Sequence, residues 1–312
     1  MAALAARRRL REDIDPNATR SDTDIAVRLA RFATDALIEE VHVTPKPALV
    51  DRRGNGAHRD LDLALMERSA HSLEPTFSEL ARAAVGKRPS AALRAELAAI
   101  GRAGEAVMMN ATQGSNAHRG AIWIIGLLVA GATICRGDFQ KVPQYALAES
   151  ICATAAQIAC FPDHAAPLAQ SNGSRVRERY GVGGARREAQ EGFPHVLRVG
   201  LPALREARRR GLEENTARID TLLAIMTSLD DTCLLHRAGL AALAAAKSGA
   251  HETLRLGGIA APRGRAAFDR LESRLLALNA SPGGAADLLA ATLFMDKLAP
   301  AGADGRTPTW SV

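Results

Sequence analysis

Apolar residues at Ile25, Val27, Leu29, Ala30, Phe32, Ala33, Leu37, Ile38 and Val41 recur near helical spacing, and Pro45 and Pro47 then cut the run. The spacing predicts a helix over 25–41. Proline fixes φ and drives its predecessor into extended backbone, so the helix must stop and residues 44–60 must run as a stiff loop. The same pattern predicts helices over 60–82 with a break near Pro75, then 90–110, 121–135, 143–160, 200–212, 213–248, 265–279 and 284–298. No stretch sustains strand alternation, and no internal repeat is visible. Aromatics are only 4% while alanine, leucine and arginine dominate, an alphabet that forms helices rather than sheets. The expected fold is all-α, a single-domain multi-helix bundle with functional loops at helix ends. Residues 1–24 are expected as a flexible N-terminal tail, 25–299 as the helical domain and 300–312 as a C-terminal tail.

Composition narrows the partners. A net charge of +6 favours a polyanion. Nucleic acid is disfavoured, because basic residues are scattered among nearly as many acids and are not interleaved with aromatics. The uncharged stretch Gly120 to Cys135 is shorter than the roughly 20 residues a membrane span needs. The arginines of MAALAARRRLRE precede no apolar region and are followed by Glu12, Asp13 and Asp15, so no leader is read there. A cytoplasmic protein without nucleic acid or membrane is expected. Cys135, Cys152, Cys160 and Cys233 show no paired spacing and read as reduced, mostly buried thiols.

Chemistry-bearing side chains gather in a few places. TPKPALVDRRGNGAHRDLD, at 44–62, delivers Lys46, Asp51, Asn55, His58, Asp60 and Asp62 just after Glu39 and Glu40 leave the first helix. Such a cluster is either a solvated charged turn or a site held by a scaffold. In the turn before helix 121–135, Asn116 and His118 suit an anion at a helix start, or an Asn cap with an exposed imidazole. The pattern fails between Pro167 and Pro194, leaving an arginine-rich loop that contains Arg186 and Glu188.

Within 213–248, Asp230 and Arg237 return to nearly the same face, while Asp231 points about 100° from Asp230. The two adjacent carboxylates could carry magnesium, directly or through water, or form an ion pair in a bundle. In SPGGAAD, Ser281 is a sound N-cap and Pro282 a sound first residue. A cap does not need Gly283 and Gly284, whose bareness would admit a substrate to the backbone amides beside Asp287. No phosphate-binding GxxxxGK[ST] or GxGxxG motif is present, so any nucleotide site must be built from helix ends and loops, and neither a GxSxG nucleophile elbow nor an HExxH zinc motif occurs.

Read together, Glu40 with TPKPALVD, NGAHRD, GSNAHRG, YGVGGARREAQEGFP, LDDTCLLHRAG and SPGGAADLLAATLF resemble the triphosphoribosyl-dephospho-coenzyme A synthase family over roughly residues 30–298. The wording of GAHRDLDLALMERSAHSLEPTF and GAIWIIGLLVAGA is more similar to the malonate decarboxylase branch than to the citrate lyase branch. The family usually has glycine at the position of Ala48, threonine at Ala117 and glycine at Arg187. Ala48 is acceptable only with negative φ.

The resemblance implies a helical catalytic domain that transfers the triphosphoribosyl group of ATP to the ribose 2′-hydroxyl of 3′-dephospho-CoA, releasing adenine. It implies Mg2+ at the triphosphate, preferably on Asp230 and Asp231. Asp51, Asp60 or Asp62 would stabilise an oxocarbenium-like state or the metal, and His58 or Glu40 would move the proton. Lys46, His118, Arg186 and Arg237 would meet phosphates, with Asn55, Asn116, Glu188, Ser281, Gly283, Gly284 and Asp287 completing the substrate pocket. A downstream prosthetic-group transferase and the acyl carrier subunit of malonate decarboxylase are the implied pathway partners, and homodimerisation is left open. The alternatives are the same reaction serving citrate lyase, a magnesium-dependent ribosyl hydrolase, and a non-catalytic ATP sensor.

Overall fold

The fold centres on a helix apolar on every side. In the computed structural model, which describes residues 16–139, 141–166 and 171–298, this is α5 (Arg119–Ile134), buried continuously from Ile124 to Thr133. Before it come α1 (Pro16–His42), α2 (Leu63–Ser72), α3 (Glu74–Ala84) and α4 (Ala91–Ala111). After it follow α6 (Gln144–Cys160), α7 (Asn172–Tyr180), α8 (Gly184–Gln190), a π-helical turn (His195–Gly200) and α9 (Leu201–Arg209). The chain closes with α10 (Glu214–Ser228), α11 (Thr232–Arg255), α12 (Pro262–Ala277) and α13 (Gly283–Lys297). Among the described residues there is no strand, only an isolated bridge between Asp51 and Gly54.

Helices α3, α6 and α13 pack on α5, α1 packs on α3 and α13, and α11 pairs with α12. Buried apolar residues from Ala26 to Leu298 form one continuous cluster. Gly131 lets the α5 and α6 backbones approach closely, since a methyl there would lie 2.6 Å from the Ile151 carbonyl of α6. No helix among the described residues is long and apolar enough to cross a membrane.

The expected break at Pro75 is real: α2 ends at Ser72 and Pro75 lies in the first turn of α3. Four expectations change. The first helix starts at Pro16, so 16–24 is helix and not tail, while 1–15 and 300–312 lie outside the described residues. The expected loop 167–194 contains α7, opened by the Ser171 hydroxyl and closed by left-handed Gly181, and then α8. Local caps suffice for such short helices where apolar anchors are few.

The expected helix 213–248 is two helices. Leu229 and Asp231 are extended, and α11 is itself kinked at Ala238 and Gly239. Finally, Ser281 does not cap α13. Pro282 occupies that position without a side-chain bond, and the cap comes from a distant residue described below. The four cysteines are free, with Cys135 and Cys152 buried, Cys233 partly so and Cys160 exposed.

Candidate active site

The turn after α1 folds inward instead of into solvent. Lys46 is only 1% exposed, and its Nζ donates to Glu40 Oε1 at 2.6 Å and to the Glu40 carbonyl at 2.8 Å. An ammonium this buried is tolerated because a carboxylate neutralises it in place. Asp51, equally buried, holds the turn's shape: it accepts from the Lys46 N–H at 2.9 Å and the Arg53 N–H at 2.7 Å. The Arg53 guanidinium bridges from Asp51 to Glu272 of α12, at 2.8 and 2.6 Å. Ala48 stands at φ 58°, in the left-handed region, contrary to the negative φ expected for it. An L-residue there is strained by about 1 kcal/mol, which explains the glycine preference.

Three helix starts converge on this turn. Asp231 caps two of them: it accepts from the Cys233 N–H of α11 at 2.8 Å and from the Ala285 N–H of α13 at 2.9 Å. A methyl on Gly283 would lie 3.0 Å from Cys233 Sγ and one on Gly284 3.0 Å from Asp231 Oδ1, so either would press these side chains out of place by a few tenths of an ångström. Asp287 reaches the third start. It accepts from the Ala121 N–H of α5, and its Oδ2 would be 2.0 Å from a methyl on Gly120. Burial, then Glu40 and Asp231, push the Asp287 carboxyl well above the usual range. Burial also raises Asp231, against the pull of its backbone donors. Acids are thus crowded at the positive ends of helices.

His58 closes one side. Arg237 carries only donors, so its 3.0 Å bond to His58 Nδ1 makes that nitrogen the acceptor. Nε2 then holds the proton and donates to Ser281 Oγ at 2.9 Å. Burial and Arg237 lower the His58 pKa to about 4, so the ring is neutral at pH 7. Both nitrogens are occupied, which suits a brace between α11 and the start of α13 better than a proton carrier. His118 is buried rather than exposed, lowered to about 3 by burial and Lys46. Its Nδ1 is 2.6 Å from Ser69 Oγ, while Nε2 has no partner.

The remaining expected residues lie outside the enclosed centre. Asp230 is exposed and paired with Lys247 at 2.6 Å, whereas Asp231 is buried on the backbone amides of two helix starts. Asp62 is exposed and caps α2 through the Leu65 N–H; Asp60 is exposed beside His58 at 3.9 Å. Asn55 and Asn116 are exposed, the latter accepting from the Arg119 N–H. Glu188 is buried against His195, at 2.7 Å, and Arg186 is exposed on α8. Among the described residues no group of three or more His, Cys, Asp or Glu could hold a metal by itself.

The sequence matches the ATP:dephospho-CoA triphosphoribosyl transferase family over residues 26–305. The chain belongs to that family. It is 55% identical over 276 residues to a probable 2-(5″-triphosphoribosyl)-3′-dephosphocoenzyme-A synthase of Pseudomonas aeruginosa strain UCBPP-PA14, covering 88% of this chain and 92% of the relative. It is 54% identical over 271 residues to the 2-(5″-triphosphoribosyl)-3′-dephosphocoenzyme-A synthase of Klebsiella pneumoniae, covering 87% and 94% respectively. No solved structure matches. The chain is therefore an enzyme, a transferase with triphosphoribosyl-dephospho-CoA synthase activity. Sequence reasoning missed Ser69, the partner of His118, and read Cys233 only as a buried thiol. Ser69 lies mid-helix without any local signal, and Cys233 stood inside LDDTC, beside a residue already singled out.

Proposed function

We propose that the enclosed centre of Glu40, Lys46, Asp231 and Asp287 transfers the triphosphoribosyl group of ATP to the 2′-hydroxyl of 3′-dephospho-CoA. The bond from C1′ to adenine N9 breaks and a bond from C1′ to O2′ forms. Adenine leaves with the bonding pair and gains a proton, while the hydroxyl loses one. The carrying observation is the convergence of the α5, α11 and α13 starts on enclosed carboxylates. Helix starts favour phosphates, and carboxylates favour the developing positive charge at C1′.

Glu40, oriented by Lys46, is the proposed acceptor of the hydroxyl proton. Arg237 and the edge of the turn it holds would meet phosphate oxygens. Asp51 is assigned to shaping the turn, and Asp60 and Asp62 are left at its rim. The enclosed acids outnumber the enclosed ammonium, which fits a divalent cation bound by one or two carboxylates and by substrate phosphates. Asp287 and Asp231 would hold Mg2+, which when bound would offset the charge of the triphosphate.

The product is assigned to the prosthetic-group precursor of malonate decarboxylase, on the branch-like wording of GAHRDLDLALMERSAHSLEPTF. A cytoplasmic location, a downstream prosthetic-group transferase and an acyl carrier subunit belong to the same reading. The test is to incubate the purified protein with Mg2+, ATP and 3′-dephospho-CoA, following adenine and the mass of the coenzyme. Equimolar adenine and a triphosphoribosyl adduct are expected. Adenine with free ribose triphosphate would replace the reading with hydrolysis, and binding without adenine would leave only a sensor.

A further inference from the structure

Away from the enclosed acids, a second charged cluster has the opposite sign. Arg94 of α4 is 7% exposed and lies over the Trp123 ring, 4.6 Å from its centroid. Asp163 is its nearest acid, at 3.8 Å, and that carboxylate is already bound at 2.8 Å by Arg102. Burial lowers the Arg94 pKa; Asp163 opposes this, and the charges of Arg186 of α8 and Arg102 add to it. Glu105, one turn beyond Arg102, is engaged by Arg119 at 3.1 Å. Two guanidiniums thus share one carboxylate with a third nearby, and Arg94 Nε is buried without any hydrogen-bond partner.

A structural ion pair would balance its charges and satisfy its donors. This cluster does neither. Its place is also informative. Trp123 lies one turn along α5 from Gly120, against which Asp287 packs, and its indole N–H donates to the Ala185 carbonyl at 3.2 Å. Neighbouring Gly184 approaches Thr232, the residue after Asp231. The cluster therefore adjoins the reaction centre.

We propose that Arg94, Arg102 and Arg186 around Trp123 form a diphosphate-binding subsite that anchors the diphosphate of a nucleotide substrate while its ribose enters the acid-lined centre. Guanidinium forks match phosphate oxygens in pairs, and Arg94 is held by the indole in the plane such recognition needs. The assignment to a substrate rests on the function proposed above, whereas the affinity for diphosphate does not.

The test uses Trp123 as its own reporter. The full chain carrying Trp310→Phe keeps Trp123 as its single tryptophan. Titration with inorganic pyrophosphate is expected to change its emission saturably. In Arg102→Gln, a partly exposed position where the fold can be confirmed from an unchanged Tm, the affinity should fall about tenfold. Arg94→Lys, which keeps the charge but loses the planar fork, should weaken binding as well.

Steady-state KM then distinguishes the source. In Arg102→Gln, about a tenfold rise for 3′-dephospho-CoA alone assigns its diphosphate to the subsite, and a rise for ATP alone assigns the triphosphate, with kcat little changed. An emission that does not respond, or that responds in Arg102→Gln and Arg94→Lys with the affinity of the parent protein, overturns the subsite. Pyrophosphate binding at Trp123 in a protein that releases no adenine would keep the subsite and overturn the reaction instead.

Discussion

Two charged segments stood out in the sequence, 44–62 and 167–194, and the structure treats them differently. The first turns Lys46 and Asp51 inward beside Glu40 of α1; all three are nearly inaccessible and each has a close polar partner. The second becomes α7 and α8, which leave Arg186 and Arg187 exposed and, of their charged side chains, bury only Glu188. Charge density alone does not mark a reaction centre. What distinguishes the first segment is charge removed from water, which a chain retains at a cost of several kcal/mol only where the groups are paired or used.

The sharpest way to break this comparison is to remove one partner from the buried pair. Lys46→Met leaves Glu40 buried and unpaired, and should cost about 3–5 kcal/mol of stability and most of the activity, read by denaturant unfolding and adenine release. A second effect is pH-dependent. His58 and His118 take up protons in the folded protein only near pH 4 and 3, against an ordinary 6.5. The unfolded chain binds more protons between these values, so their contribution is full above pH 6.5 and falls as pH drops, by roughly 2 kcal/mol per imidazole at pH 5. Asp231 and Asp287, raised in the fold, act in the opposite direction. The readout is therefore the difference between wild type and His118→Gln, whose unfolding free energy should fall less steeply from pH 7 to 5.

A third effect concerns the turn's backbone. A methyl on Gly56, at φ 56°, would lie 2.5 Å from the Ala48 and Leu49 carbonyls, so Gly56→Ala should destabilise by about 2 kcal/mol in thermal unfolding. The smallest effect belongs to the second segment. Arg187→Gln removes an exposed pair with Glu191 and should change stability by less than about 0.5 kcal/mol.

Helices were legible because their signal is local: the period of α1, the break at Pro75 and the apolar run of α5 are all written in consecutive residues. The centre was legible as a set of residues, not as an arrangement. Asp231 meets the Ala285 N–H across 54 positions, and Asp287 meets Gly120, distances in sequence over which no spacing rule operates. The break between Asp230 and Asp231 was missed because the apolar pattern of 213–248 reads as one continuous helix. An Asp before Thr232 is also a favoured N-cap, and that reading would have placed the break correctly. Ser281 misled in the opposite sense, because a good capping residue was used to bind His58. Arg94 and Trp123 carried no signal at all, since their stacking joins two helices.

The central claim is that enclosed acids, not merely nearby ones, carry the transfer. It is tested most directly by measuring adenine release and adduct mass for Asp287→Asn and Asp230→Asn side by side, each shown to be folded. Loss of the adduct by at least about a hundredfold in Asp287→Asn, with near-normal yield in Asp230→Asn, is expected. Full activity in Asp287→Asn together with loss in Asp230→Asn would contradict the account and return the reaction to the protein's surface.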